Sequence, residues 1–423
     1  MKNWSKAKLA LAMLLIASLV VLSGCGSQAQ TAKPSRDYIL IGRVNPTTGP
    51  LASFGAGTPF VEEKAIEAIN KEGGIYIAEY GKKLPVKLVV VDSESNPTKA
   101  AEAANKLIVQ DKVDILTAAH TPDTVNPVSA AAERYKIPCI TVDSADWVNG
   151  GGPHAWAFHA FWAVPSMLET QIDMWDMLSS NKKVGFLYGT DPDGVVMSKT
   201  MKEKVEARGY TVVDPGRFPS DIKDFTSIIN QFKQENVDIV VGVMTPPDFS
   251  TALRQMHQQG YVPKVLTMAK AILFPADVAA LGDDLGMGLT SEIWWSPKFP
   301  YKSSLTGQTA AELGKMWSDS FKAQAPASVG YKHASVEIVI DVLKRAQSLD
   351  KEKIRQAIKE TNLDTIIGHI QFNDQNFAET MVVGGQWVKG KEWPWELNII
   401  TNKKAPAVPL SPEKIFYLPG TTQ

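Results

Sequence analysis

The chain has 423 residues, with 44 basic and 45 acidic side chains and a formal net charge of −1. That length exceeds what one hydrophobic core normally organises, so we expect two lobes. The near-neutral charge gives no electrostatic support for nucleic-acid binding.

The N-terminal residues have the order of an exported lipoprotein's signal. Three lysines precede an apolar run over 9–22, which ends in a Ser-Gly-Cys sequence at Cys25. The run is shorter than the roughly 20 residues that a membrane-spanning helix needs. Because this ending resembles a bacterial lipobox, we expect residues 1–24 to be removed and Cys25 to carry lipid at the extracytoplasmic face of a cell membrane. A secretory peptide that merely contains a cysteine is the alternative, and residues 25–37 are predicted to be a flexible tether.

From Tyr38 onward, short β-rich runs alternate with amphipathic helical stretches. Strands are predicted at 39–44, 86–91, 113–117 and 137–142, separated by helices that begin near 59, 97 and 124. The helix near 97 starts with Asn-Pro, a capping side chain followed by a proline that fits the first turn. This order is typical of βαβ units in a mostly parallel sheet.

The alternation resumes after a stretch rich in glycine and tryptophan at 147–162. The predicted elements are helices at 166–178, 195–208, 225–235, 249–259, 309–323 and 334–348, and strands at 184–188, 210–213, 237–243 and 265–268. The sequence therefore predicts an α/β protein with two lobes, each a mostly parallel sheet flanked by helices.

Loops that follow the predicted strands supply candidate ligand-binding side chains, because ligands collect at the carboxyl ends of parallel strands. The loop after the first strand contains Phe54, and the loop after the third contains His120, Thr121, Asp123 and Thr124. Hydroxyls and backbone amides at a helix start favour a carboxylate. Thr121 or Asp123 could equally serve only as a helix cap, and His120 could be a core histidine.

Carboxylates at later strand ends face the same edge from both lobes. They are Asp143, with Ser144 beside it, Asp193 and Asp248. A buried carboxylate needs a partner, which a ligand ammonium would supply, and ordinary capping is the alternative. Trp295 lies in a dense aromatic segment that is expected either to wall an apolar pocket or to pack in a core near a hinge.

Catalytic and metal-binding signatures are missing from the sequence. It contains no HExxH metal motif, no GxSxG nucleophile turn and no Walker-type phosphate loop. His154 and His159 are close in sequence but lack nearby carboxyl or thiol ligands. We expect no enzyme activity, no cofactor and no metal. With Cys25 committed to lipid, Cys139 is the only remaining thiol, so no disulfide within the chain is expected.

Several segments, in order and at matching spacing, resemble the leucine/isoleucine/valine-binding protein family, the type I periplasmic binding proteins of ABC importers. They include 41–55, 68–75, 92–100, 224–226, 236–238, 252–255 and 368–373. The resemblance covers the whole body and implies two lobes joined by three crossovers, near Ala160, Trp295 and Asn376. It assigns 38–160 plus 296–376 to an N-terminal lobe and 161–295 plus 377–418 to a C-terminal lobe.

The resemblance also implies ligand-binding positions. By place in the family pattern they are Phe54, the loop 120–124, Asp143 and Ser144 from one lobe, and Asp193 and Asp248 from the other. The chain departs from the pattern at Pro122, Asp193 and Asp248, where the family often has serine, tyrosine and glutamate. Only Asp248 keeps the side-chain chemistry, and the resemblance implies that it binds a ligand ammonium.

The function implied by the resemblance is that of a monomeric solute-binding subunit. It would capture a small polar ligand between the lobes and deliver it to the permease subunits of an ABC importer. A branched-chain or other hydrophobic amino acid is the expected ligand, and an amide, urea or aromatic carboxylate is the alternative. A ligand sensor for a membrane receptor would use the same fold.

Overall fold

Two main β-sheets organise residues 35–143 and 154–421, which are the residues that the structure, a computed structural model, describes. Residues 1–34, with Cys25, and Ser144 lie outside the described residues. The predictions of a signal peptide, a lipidated cysteine and a ligand contact at Ser144 therefore stay predictions.

The first part of the chain alternates strands and helices as predicted. Its elements are β1 (Ile39–Asn45), α1 (Phe60–Lys71), β2 (Ile75–Ile77), β3 (Lys82–Leu84), β4 (Val86–Asp92), α2 (Pro97–Asn105), β5 (Ile115–Ala119), α3 (Pro122–Tyr135), β6 (Cys139–Val142) and β7 (Ala157–Phe161). A short 3-10 turn at Ala52–Gly55 lies in the loop after β1.

The second part continues the alternation. Its elements are α4 (Val164–Trp175), β8 (Lys183–Tyr188), α5 (Pro192–Ala207), β9 (Thr211–Val213), α6 (Thr226–Gln234), β10 (Ile239–Val243), α7 (Pro246–Gln258), β11 (Val265–Ala269), α8 (Pro275–Ala280) and β12 (Thr290–Ile293).

The last part contains helices first and strands afterwards. Its elements are α9 (Ala310–Phe321), α10 (Ser328–Ala346), α11 (Lys351–Lys359), β13 (Asn362–Thr365), β14 (Gly368–Gln371), β15 (Phe377–Glu379), β16 (Val383–Lys389) and β17 (Trp395–Thr401).

The first sheet has the strand order β15-β7-β6-β5-β1-β4, and all of its pairings are parallel. Every residue of β1, β5, β6 and β7 is buried. Since side chains alternate between the faces of a strand, complete burial requires cover on both faces of the sheet.

The second sheet has the order β17-β16-β12-β11-β10-β8-β9, with antiparallel pairings only at β12–β16 and β16–β17. The predicted fold class, α/β with mostly parallel sheets flanked by helices, is confirmed. The two hairpins β2–β3 and β13–β14 were not predicted.

Local sequence chemistry sets where the helices begin, and thereby where their N-termini point. Helices α2, α3, α4, α5, α7 and α8 all have proline in the first turn, where its missing N–H costs nothing. The Asp191 side chain caps α5 by accepting a hydrogen bond from the Gly194 amide at 3.0 Å. These starts directly follow strand ends, so several helix N-termini point at the same region.

The chain passes between the sheets three times. It leaves the first sheet after β7, returns to it at β15, and enters the second sheet again at β16. The first sheet thus extends slightly beyond the lobe limits proposed from sequence at residues 160 and 376. The lobe boundaries themselves stay a prediction.

Candidate functional site

Strand ends from both sheets meet at a cavity of about 30 Å³. Its lining comes from the loop after β1, from the ends of β5, β6 and β7 on one side, and from α5 and the ends of β10, β11 and β12 on the other. A space of this size holds about one water molecule, whereas ligand sites are typically 300 to 1,000 Å³. A solute can therefore occupy the cavity only when its walls move apart.

An aromatic cluster joins the two walls. Trp294, just after β12, lies 5.9 Å from the Phe54 ring, 5.2 Å from His120 and 5.1 Å from Phe161, measured between ring centroids. Phe54 also makes an edge contact with Phe274 at 4.9 Å. Such pairs are worth about 0.5–1.5 kcal/mol beyond the area they bury. The cluster can cover the apolar part of a ligand.

The neighbouring Trp295 lies elsewhere, although the sequence analysis proposed it for the pocket. It packs on α10 so closely that a Cβ atom added at Gly330 would lie 2.4 Å from its ring. It does not line the cavity and instead borders an adjoining crevice, which shares Leu273, Glu292 and Trp294 with the cavity. Its predicted ligand contact has no support from this geometry.

The first wall is formed by His120 and Thr121 at the start of α3. Thr121 has a φ of +71°, which is rare for a β-branched residue and typical of functional positions. Its hydroxyl oxygen is buried and has no hydrogen-bond partner among the described residues. Burial, with the charges of Lys332 and Arg43, lowers the pKa of His120 well below its ordinary value, so the ring is neutral at pH 7. This wall offers a hydroxyl group and a helix N-terminus.

Buried basic groups lie behind this wall. The Lys332 ammonium donates hydrogen bonds to Asn45 Oδ1 at 2.5 Å and to the Ala119 carbonyl at 3.5 Å. Burial, together with the Arg43 charge, lowers the pKa of Lys332 to about 7. Arg43 forms a buried ion pair with Glu62. The partly charged Lys332 adds positive potential behind the wall at neutral pH.

The second wall contains Lys270, directly after β11, which the sequence analysis missed. Its ammonium lies 3.0 Å from Asp193, 3.2 Å from Asp191 and 3.7 Å from Asp123, counted to the nearest Oδ2 atoms. Burial alone would lower the pKa of Lys270, but these carboxylates raise it above its ordinary value. Burial raises the pKa of Asp193 to about 7. Asp123 belongs to α3, so this ion cluster connects the two sides of the cavity.

Glu292, at the end of β12, also lines the second wall. It accepts hydrogen bonds from Gln171 Nε2 and from the Ser291 hydroxyl, both at 3.2 Å. Burial raises the pKa of Glu292 to about 7, because hydrogen bonds only partly offset the loss of solvation. The sequence analysis missed this residue because β12 was not predicted.

The other predicted site residues divide into two groups. Phe54, His120, Thr121, Asp143 and Asp193 line the cavity, and Asp123 reaches it through Lys270. Thr124 and Asp248 do not line it. The Thr124 hydroxyl lies 3.3 Å from that of Ser93, while Asp248 accepts a hydrogen bond from the Thr245 hydroxyl at 2.9 Å near the start of α7. All of these ligand-binding roles stay predictions.

One signal in the sequence could have identified Lys270. The strand ends at Ala269, and Lys270 is the first residue beyond its carboxyl end. The other candidates were selected because they also follow the carboxyl ends of strands. The strand was predicted at 265–268, and no candidate was assigned to the loop after it.

Comparison with known proteins places these features in context. The family model described as "Periplasmic binding protein" matches residues 39–391. Among curated proteins, Leu/Ile/Val-binding protein homolog 7 of Brucella abortus is 24% identical over 393 residues, which cover 88% of this chain and 94% of that protein.

Solved structures show the same fold. The leucine-binding protein LivK of Thermotoga maritima has a TM-score of 0.73 at 21% identity, covering 86% of this chain and 99% of that one. A solute-binding protein of an ABC transporter from R. palustris, in complex with 4-hydroxybenzoate, has a TM-score of 0.70 at 17% identity, covering 86% of this chain and 96% of that one. The type I periplasmic binding protein fold is thereby confirmed.

Proposed function

This chain belongs to the periplasmic binding protein family, and on that basis we propose that it is the solute-binding subunit of an ABC importer. The observation that carries the proposal is a cavity at which strand ends of both sheets meet. Walls from two sheets can separate to admit a solute and close around it, and closure is the signal that a permease can recognise. The bound solute leaves chemically unchanged.

We propose that the ligand is a carboxylate with an apolar or aromatic body. The unpartnered Thr121 hydroxyl, the N-terminus of α3 and the Lys332 charge favour a carboxylate at the first wall. The cluster around Trp294 favours an apolar body beside it. Leucine and 4-hydroxybenzoate, named for two structural neighbours, share this combination.

A hydrophobic amino acid is the second candidate, as expected from the sequence. The relatives named for leucine, isoleucine and valine favour it. One reason for it in the sequence is that a buried carboxylate at the cavity needs a partner, which a ligand ammonium would supply. That reason is weakened, because Lys270 already pairs with Asp193 and Asp191.

The proposed location is the extracytoplasmic face of a cell membrane, where this family acts. Among the described residues, no helix combines the length and apolarity needed to cross a bilayer. We propose that lipid on Cys25 anchors the protein, which works as a monomer beside its permease.

Thermal unfolding of the purified full-length chain tests this function. The panel is 4-hydroxybenzoate, 3-phenylpropanoate, leucine, phenylalanine, acetamide and urea, since a ligand that binds only the folded state raises the unfolding temperature. A carboxylate should raise it, and Thr121→Val should weaken that ligand about 3- to 10-fold by removing one hydrogen bond. Thr251→Val is the matched control, because the Thr251 hydroxyl bonds within α7 to the Pro247 carbonyl. A shift with urea or acetamide alone would contradict the proposed ligand class.

A further inference from the structure

Lys270 occupies the place where acidic groups of the cavity converge. Its ammonium lies within 4 Å of three carboxylates, those of Asp123, Asp191 and Asp193, and its side chain is 4% exposed. Two of these acids lie at the start of α5 and the third lies at the start of α3, so both sides of the cavity contribute. The chain thus supplies its own cation at this acidic point.

The backbone holds this cation in an unusual conformation. Lys270 has a φ of +67°, a left-handed conformation that a residue with a side chain rarely adopts and that persists only where the surroundings impose it. The conformation directs the side chain toward α5 and α3, where the carboxylates are. Lys270 and its partner Asp193 both line the cavity. An ion pair that served only stability could instead form on the surface, away from any ligand cavity.

The arrangement has a direct consequence for ligands that carry an ammonium group. Such a group would have to approach carboxylates that are already paired, within a few ångströms of a like charge in a water-poor space. With its carboxylate bound at Thr121 on the opposite wall, as proposed above, a ligand without an amino group would meet no such conflict. A fixed like charge is a known way to reject a competing ligand.

We infer that Lys270 is a specificity-determining residue that excludes amino acids: its ammonium fills the subsite made by Asp191, Asp193 and Asp123, and the site therefore selects carboxylates that lack an amino group. This inference rests on the proposed function, since it concerns which solutes the same cavity accepts. Removal of the lysine charge should open the subsite to the ammonium of an amino acid.

The test uses ligand pairs that differ only in the ammonium group. They are 3-phenylpropanoate against phenylalanine and 4-methylpentanoate against leucine, titrated calorimetrically into the full-length protein. For the wild type, we expect the deamino ligand of at least one pair to bind about 100-fold tighter or more, because like charges in a closed site repel strongly. In Lys270→Met, the preference for the deamino ligand should fall at least about 10-fold, because the ammonium of the amino acid can then pair with the freed carboxylates.

Control variants separate selectivity from folding. Lys270→Arg should keep the wild-type preference, because it keeps the charge. Lys264→Met removes a lysine that pairs with Asp238 at 3.3 Å, outside the cavity, and should also keep it. If Lys270→Met does not fold, its combination with Asp193→Asn removes opposite charges together, and the preference for the deamino ligand should still fall at least 10-fold.

Two kinds of result would overturn the inference, and they can be told apart. The first is that the wild type binds phenylalanine or leucine as tightly as the deamino partner, or that a folded variant without the Lys270 charge discriminates as the wild type does. Lys270 then does not set specificity, although the solute-binding function stands. If no ligand of either pair binds any folded variant, the proposed carboxylate ligand fails, and the inference fails with it.

Discussion

The two walls of the cavity satisfy their polar groups in different ways. On the first wall, the Thr121 hydroxyl is buried without a partner among the described residues, and the nearby Lys332 is held by neutral oxygens. On the second, Lys270 is surrounded by carboxylates, and Glu292 accepts two side-chain hydrogen bonds. A wall with an unpartnered hydroxyl and a helix N-terminus can bind a ligand carboxylate, whereas a wall whose carboxylates already have a cation mainly decides which ligands are refused.

The strongest test of this difference removes the central charge of the second wall. Lys270→Met should destabilise the protein by about 3–5 kcal/mol, because buried carboxylates lose their cation. Chemical denaturation measures the loss. Lys315→Met is the control, since Lys315 pairs with Asp319 on the surface, where such pairs contribute about 1 kcal/mol or less. Equal losses of unfolding free energy in the two variants would show that this ion cluster does not stabilise the second wall.

A pH series should separate the walls by the sign of their effect on stability. The pKa of Glu292 is raised from 4.5 to about 7 on folding, so the folded state binds more protons and stability falls as pH rises from about 4.5 to 7. Glu292→Gln should remove about 2 kcal/mol of that decline. The pKa of Lys332 is lowered from 10.5 to about 7, so its contribution makes stability rise above pH 7.

Urea denaturation at pH 4.5, 6, 7 and 9 measures both slopes. Relative to the wild type, Glu292→Gln should gain stability at pH 7 and gain none at pH 4.5. An identical pH dependence in the variant and the wild type would show that this carboxyl is not held neutral by burial.

Because an aromatic contact joins the two walls, we expect substitutions of the adjacent Trp294 and Trp295 to affect solute affinity differently. Trp294→Leu should weaken the bound solute about 10-fold, because Trp294 contacts aromatic residues on both sides of the cavity. Trp295→Leu should lower the unfolding temperature and leave affinity within about twofold, since Trp295 packs on α10. Isothermal titration checks both, and a larger loss of affinity at Trp295 would contradict the assignment.

The smallest expected effect concerns Asp248, the residue that the sequence analysis proposed as the ammonium partner. Asp248→Asn should change solute affinity less than about twofold, because the side chain bonds to Thr245 and does not line the cavity. A loss of 10-fold or more in the same titration would restore the sequence-based assignment and move the acidic subsite toward α7.

Local sequence patterns predicted most of the parallel strands of both sheets, but they missed β7 and β15 at one edge of the first sheet. The runs that became β1, β4, β8 and β10 are apolar and separated by amphipathic helices, so each is recognisable within its own segment. Strand β17 was missed although it forms a local hairpin with β16. Strands β12 and β16 were also missed, and their antiparallel pairing joins residues about 90 apart in sequence. Pairing over such a distance cannot be detected from a short stretch of sequence.

The candidate site was only partly predictable for the same reason. The strand-end rule selected Phe54, His120, Thr121, Asp143 and Asp193, and the structure brings these residues to one cavity. The rule could not tell which of two adjacent tryptophans faces the cavity, since that depends on packing against α10. It also could not show that a lysine of the chain pairs with the acids for which a ligand cation was expected.

We propose that a solute binds between the two walls and draws them together. Spin labels at Lys99→Cys and Lys199→Cys, both exposed and placed on α2 and α5, report the distance between the two sides by double electron–electron resonance. Saturation with the carboxylate that gives the largest thermal shift should convert a broad or longer distribution into one short distance. The same distribution with and without a ligand that demonstrably binds would contradict closure around the cavity.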